Sequence, residues 1–220
     1  MDASPHTVIV VAGGDPIDVS VRDRLPEGVP VIAADSGLDR AAELGLRVDA
    51  VVGDFDSVTA AGLGRAAAAG ARIEAHPRDK EHIDLELALD AAVAERATRV
   101  VVVGGHGGRL DMVWATGLLL ASPRYSGVEI EAFVGTGRVH VIRGGRGWTE
   151  LSGRPGELLT LLPVHGPARG VRTEGLRFPL DAEDLPAGTT RGVSNELLRD
   201  RTRVALEEGT LLCVLPGEIG

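Results

Sequence analysis

The residues best suited to chemistry are aspartates that recur at the ends of short apolar runs. Asp35 follows Val29–Ala34, and Asp54 and Asp56 follow Ala50–Val52. Asp79 and Asp84 fall between the run Arg72–Ala75 and a helical segment at Ile83–Arg96. Carboxylates with no His or Cys among them suit a hard cation, and magnesium is the usual one beside phosphates. A single aspartate at such a place usually caps a helix or makes a turn. The set, repeated at consecutive run ends, points to a metal. Lys80, the chain's only lysine, lies within this acidic stretch, where an ammonium could hold a transferring phosphate. A second feature is Gly104–Gly108, between an apolar run and a helix, with Arg109 next. Glycines let backbone N–H groups approach a phosphate, the helix start favours anions, and an arginine fork fits phosphate oxygens. A tight turn requiring positive φ would select the same glycines.

Several chemistries are excluded. The sequence has no G-x-x-x-x-G-K-[ST] and no complete G-x-G-x-x-G after its first apolar run, so neither a P-loop nor a dinucleotide fingerprint is present. It also lacks G-x-S-x-G and H-E-x-x-H. Cys213 is the only cysteine, which rules out an internal disulfide framework and a multi-cysteine zinc site. A net charge of −9 makes nucleic acid a poor partner. No apolar run reaches membrane-spanning length, and the first residues do not read as a secretory leader, so the expected compartment is the cytoplasm.

The elements that must position these residues change character along the 220-residue chain. In the first half, β-branched runs ending in Gly/Asp turns alternate with Ala/Leu-rich helical segments, the last helix at Val113–Ala121 and the last run at Val128–Val134. Alternation of this kind argues a parallel sheet covered on both faces. Leu85, Leu89, Ala92 and Val93 are expected near one buried face of their helix. After about Gly135, Gly and Pro punctuate short apolar segments with no helical period, which reads as a small all-β sandwich or barrel. The expected division is an α/β domain over 1–136 and a β domain over 137–220. A core role is expected for Trp114 and Trp148.

The blocks Ala34-Asp35-Ser36-Gly37, Gly53-Asp54-Phe55-Asp56-Ser57, Asp79-Lys80-x-x-x-Asp84-x-Glu86-x-Ala88-Leu89, Gly107-Gly108-Arg109-Leu110-Asp111, Gly175-Leu176-Arg177-Phe178-Pro179-Leu180 and Gly192-Val193-Ser194-Asn195-Glu196 occur in this order. Together they resemble the thiamine pyrophosphokinase family over almost the whole chain. The resemblance implies an N-terminal parallel-sheet α/β domain and a C-terminal β-sandwich. It implies transfer of the pyrophosphoryl group of ATP to the thiamine hydroxyl, with Mg2+, by a homodimer that binds thiamine between its subunits. On these positions it implies that Asp35, Asp54, Asp56 and Asp84 hold magnesium and orient the triphosphate. Lys80 and the turn with Gly105, Gly107, Gly108 and Arg109 would contact phosphates, with Asp111 at the same site, towards the thiamine hydroxyl or the ATP. Ser194 and Asn195 would hydrogen-bond thiamine, and Phe178 would stack on its pyrimidine from the partner subunit.

One block departs from the family's R-x-D-H-x-x-A-N pattern: Met112 stands for the histidine and Thr116 for the asparagine. Methionine makes no strong hydrogen bond, so the departure bears on affinity or substrate choice. Two alternatives follow: a pyrophosphokinase for another heterocyclic alcohol such as a hydroxymethylpterin, or a non-catalytic nucleotide- or thiamine-binding module.

Overall fold

The computed structural model describes residues 6–79 and 81–217. Ten elements of its first half are the strands β1 (Thr7–Val11), β2 (Val31–Ala34), β3 (Ala50–Gly53), β4 (Arg72–Ala75), β5 (Arg99–Val103) and β6 (Glu129–Val134), and the helices α1 (Gly37–Glu43), α2 (Ala60–Ala68), α3 (Asp84–Ala94) and α4 (Leu110–Leu120). All six strands pair in parallel, in the order β6-β5-β1-β2-β3-β4. Successive strand residues point to opposite faces. Val8, Ile9, Val10 and Val11 are nonetheless all buried, so both faces are covered, as expected of a parallel sheet. Leu38 and Ala41 of α1, with Leu44 just after it, cluster with Ile9, Val11, Val31, Ala33 and Val51. Helix α3 lies on β1, β2 and β3 and buries Leu85, Ala88, Leu89 and Ala92, whereas Val93 is exposed.

The strand order has a consequence for ligands. From β1 the chain builds outward through β2, β3 and β4, then returns to the other side of β1 as β5 and β6. The order reverses between β1 and β5, and open parallel sheets bind ligands at the carboxyl ends of the strands flanking such a point.

The second unit holds eight strands: β7 (Gly137–Arg143), β8 (Thr149–Ser152), β9 (Leu158–Pro163), β10 (Ala168–Glu174), β11 (Glu183–Leu185), β12 (Asn195–Glu196), β13 (Arg201–Ala205) and β14 (Thr210–Leu215). Two antiparallel layers form, β12-β9-β14-β7 and β11-β10-β13-β8. Period-2 burial supplies the core between them: Leu159 and Leu161 from β9, and Leu211, Cys213 and Leu215 from β14, meet Leu151, Val171, Leu185 and Val204. This is a sandwich, as the resemblance implied.

The described residues divide into two compact units. Residues up to Thr116 form the first unit with Gly127–Gly135, but Gly117–Ser126 belongs with the second unit, which continues from Thr136. The reason is local. The buried Arg143 guanidinium donates to the carbonyls of Leu120, Ala121 and Ser122 at 3.4, 3.0 and 3.1 Å and so caps the end of α4. His165 Nε2 also bonds the Leu118 carbonyl at 2.9 Å. Trp114 and Trp148 are exposed rather than in a core; Trp148 stacks under the Arg203 guanidinium, 4.5 Å from the ring centroid. No helix among the described residues is long and apolar enough to cross a membrane.

Candidate active site

Neighbouring parallel strands lie about 4.8 Å apart, so turns at their carboxyl ends bring short side chains together. Asp35 leaves β2 in the left-handed region (φ 46°), its N–H bonded to the Val52 carbonyl of β3 at 2.9 Å. Asp54 and Asp56 leave β3 around Phe55, also left-handed (φ 60°). That conformation is unfavourable for a bulky residue, and strain of this kind gathers at functional turns. Here it folds the turn so that Asp54 Oδ1 accepts the Asp56 N–H at 3.2 Å. One carboxylate oxygen from each of Asp35, Asp54 and Asp56 lies within 4.8 Å of the others. Asp84 opens α3, and its Oδ1 comes within 3.0 Å of the place a Cβ on Gly53 would occupy, with Asp35 Cβ 3.1 Å from the same point. Glycine at 53 is what allows these groups to converge.

The electrostatics of the cluster fit a divalent cation. Asp35 is buried, and its Oδ1 has no hydrogen-bond partner among the described residues. Burial raises its pKa, the Ser36 N–H partly opposes this, and the charges of Asp84, Asp54 and Asp56 raise it further. A buried, unpartnered carboxylate oxygen facing three like charges is unfavourable unless a cation meets it. The donor set is all oxygen, as magnesium requires. Asp56 also pairs with the exposed Arg78 at 2.6 Å, a contact with no signal in the spacing pattern. Lys80 and its expected phosphate contact lie outside the described residues.

Two spacings from β2, the turn after β5 carries four glycines at positive φ: Gly104, Gly105, Gly107 and Gly108. Their tasks differ. The Gly105 N–H donates to the Gly13 carbonyl at 2.9 Å, and the Gly105 carbonyl faces the buried Thr116 hydroxyl at 3.4 Å. Gly105 is therefore a packing residue, and Thr116 supports the turn from α4. Gly107 and Gly108 donate to no backbone carbonyl among the described residues and remain suited to an anion. Arg109 and Asp111 are exposed and paired with each other, Nε–Oδ1 at 3.2 Å and Nη2–Oδ2 at 2.5 Å. The Arg109 hydrogen bond holds the Asp111 carboxyl below the usual range, which makes it a weak proton acceptor while that pair lasts.

The sequence reading missed the turn after β1. Gly13-Gly14-Asp15 packs directly against the turn after β5: the Asp15 N–H donates to the His106 carbonyl at 2.9 Å, and a side chain at Gly14 or Gly107 would collide with His106 or Asp15. The signal was present, an apolar run ending in Gly-Gly-Asp, but only the strand order places it at the reversal point between β1 and β5.

Of the expected substrate-contacting residues, Phe178, Ser194 and Asn195 lie in the second unit and Asp111 in the first. Phe178 is 52% exposed. Ser194 is exposed and left-handed (φ 55°), its N–H bonded to Thr160 Oγ1 at 3.0 Å. Asn195 is buried and bonded to the backbone of Phe178.

Comparison with known proteins agrees with this arrangement. Residues 26–132 match the model of the thiamin pyrophosphokinase catalytic domain, and residues 149–211 match that of the thiamin pyrophosphokinase vitamin B1 binding domain. A thiamine pyrophosphokinase of Bacillus subtilis is 23% identical over 209 residues, 94% of this chain and 97% of the relative. The crystal structure of the Bacillus subtilis thiamine pyrophosphokinase superimposes with a TM-score of 0.83, covering 96% of this chain and 99% of that one at 23% identity. The Geobacillus thermodenitrificans thiamin pyrophosphokinase structure gives 0.78 at 26% identity, covering 94% and 96%. The yeast thiamin pyrophosphokinase structure gives 0.70 at 14% identity, covering 97% and 87%. With both domain models matched in order and the sheet, turns and sandwich as described, the chain belongs to the thiamin pyrophosphokinase family.

Proposed function

We propose that this chain transfers the pyrophosphoryl group of ATP to the hydroxyl of thiamine, giving thiamine diphosphate and AMP. The convergence of Asp35, Asp54 and Asp56, with Asp84 across Gly53, on a buried oxygen unpartnered among the described residues carries the reading. In the reaction, the thiamine hydroxyl oxygen forms a bond to the β-phosphorus. The bond from that phosphorus to the α–β bridging oxygen breaks, AMP departs, and the hydroxyl proton passes to water or a carboxylate. Such transfers need in-line positioning and neutralised charge more than a covalent nucleophile.

Asp35, Asp54, Asp56 and Asp84 would hold Mg2+, which when bound supplies charge neutralisation and orientation of the phosphates. Gly107 and Gly108 offer amides to phosphate oxygens, and Arg109 adds a guanidinium once released from Asp111. Lys80 is assigned the same task on the motif alone. Ser194 and Phe178 would bind thiamine, the aromatic ring facing a cationic heterocycle. The reading includes a homodimer with thiamine at the subunit interface, for which the family resemblance is the support.

The test is incubation of the purified chain with ATP, magnesium and thiamine, with and without chelator, followed by chromatography of nucleotides and thiamine species. Thiamine diphosphate and AMP in equal amounts, lost on chelation, are expected. ADP with thiamine monophosphate would replace the mechanism by single phosphoryl transfer. No product from thiamine, but product from a hydroxymethylpterin, would transfer the reading to that acceptor.

A further inference from the structure

Asn195 is the chain's only asparagine, and its side chain is almost fully committed. It is 3% exposed. Its Oδ1 accepts the N–H of Phe178 at 3.0 Å and that of Glu196 at 2.9 Å, and its Nδ2 donates to the Phe178 carbonyl at 2.7 Å. An amide oxygen has two lone pairs and an amide nitrogen two hydrogens. Both lone pairs and one hydrogen are in use, which leaves little capacity for a substrate. Bonding both the N–H and the C=O of one residue is what a neighbouring strand does for its partner.

The next residue completes the arrangement. The Glu196 carbonyl accepts the Arg177 N–H at 2.9 Å, and its carboxylate holds the Arg177 guanidinium at 2.8 Å. That guanidinium lies over the Phe178 ring, 5.6 Å from its centroid. Buried Leu176 and Leu180 anchor the segment on either side. Pro179 restricts the backbone at both itself and Phe178. A half-exposed phenyl ring is thus held by a backbone with almost no freedom, and one ring face is already covered by a cation.

We infer that Asn195 is a positioning residue that acts through Phe178: it fixes the ring so that the face opposite Arg177 receives the flat, cationic heterocycle. The inference rests on the proposed thiamine site and revises the direct thiamine contact that the resemblance implied for Asn195. Preorganisation of this kind strengthens binding by removing the ordering that would otherwise accompany it.

A double-mutant cycle on the full chain tests it, reading thiamine binding by calorimetry and the KM values for thiamine and ATP. Phe178→Ala should weaken thiamine binding by about 2- to 30-fold, the range of an aromatic–cation contact. Asn195→Ala should weaken it within the same range and leave the KM for ATP unchanged. In the Phe178→Ala background, Asn195→Ala should add less than about twofold, because coupled residues are non-additive. Losses that multiply would show that Asn195 touches thiamine itself and would overturn the inference alone. An unaltered chain that binds no thiamine would overturn both the inference and the function it rests on. If Asn195→Ala does not fold, Asn195→Ser, which keeps a hydroxyl but spans neither Phe178 bond, replaces it with the same criteria.

Discussion

Asp35 and Asp84 meet across Gly53: the point where a Cβ would stand on Gly53 is 3.1 Å from Asp35 Cβ and 3.0 Å from Asp84 Oδ1. The glycine also sits at φ 153°, outside the range L side chains usually adopt. Gly53→Ala should therefore push the two carboxylates apart and strain the turn by about 1–3 kcal/mol. We expect turnover to fall at least roughly tenfold with weaker magnesium dependence, since active-site displacements of about 1 Å cost up to a hundredfold. Unchanged magnesium titration curves would show that the convergence is not needed.

Asp35 gives a pH signature. Burial and the neighbouring carboxylates raise its pKa in the folded chain, so the fold binds this proton more tightly than the unfolded chain does. Its contribution to stability is full below the ordinary carboxylate range and is lost as pH rises through the raised value. Asp35→Asn should then melt higher than the unaltered chain at neutral pH without magnesium, by roughly 2–4 °C for each kcal/mol relieved. The difference should vanish towards pH 4, near the unperturbed carboxyl value. Magnesium should raise the melting temperature of the unaltered chain and not of the variant. Thermal melts across pH, with and without the ion, provide the comparison.

Asp54 is half-buried and Asp56 exposed, both in a turn rather than a core. Asp54→Ala and Asp56→Ala should keep the fold, as judged by circular dichroism, while turnover drops by at least about 100-fold, the upper cost of losing even an outer metal partner. Wild-type rates in either variant would remove these residues from the metal site.

Cys213 lies fully inside the sandwich, where burial pushes its thiol up to about 12. A thiol reagent at pH 8 should leave the folded chain unlabelled, because the reactive species is the thiolate. Labelling should appear only under denaturant, in step with loss of the second unit's structure. Rapid labelling of the native chain would contradict the packing of β14.

Much of the site was legible because its residues are short-range signals. An aspartate after an apolar run marks a strand end wherever the strand lies, so Asp35, Asp54 and Asp56 stood out as a set. The switch from helix-strand alternation to short apolar segments marked the change near residue 136, where the second unit resumes. What could not be read was that the first and fifth strands are neighbours. The placement of β5 beside β1 brings Gly13-Gly14-Asp15 against the turn at Gly104–Gly108, and that pairing depends on long-range register. The same limit hid the capture of Gly117–Ser126 by Arg143, since a buried guanidinium finds its carbonyls only after packing.

Residue types and their order set the chemistry expected of this chain: carboxylates for a hard cation, a glycine turn suited to anions, and a Gly-Leu-Arg-Phe-Pro-Leu segment and a Ser-Asn-Glu segment for the substrate. Tertiary structure alone decided which groups serve it. It left Gly107 and Gly108 suited to an anion but tied Gly105 to Gly13, paired Arg109 with Asp111, and bonded Asn195 to the Phe178 backbone. Hydrogen-bonding groups are finite, and a donor or acceptor engaged by the fold is no longer available to a ligand. That engagement is set by contacts between distant segments, which no local spacing encodes.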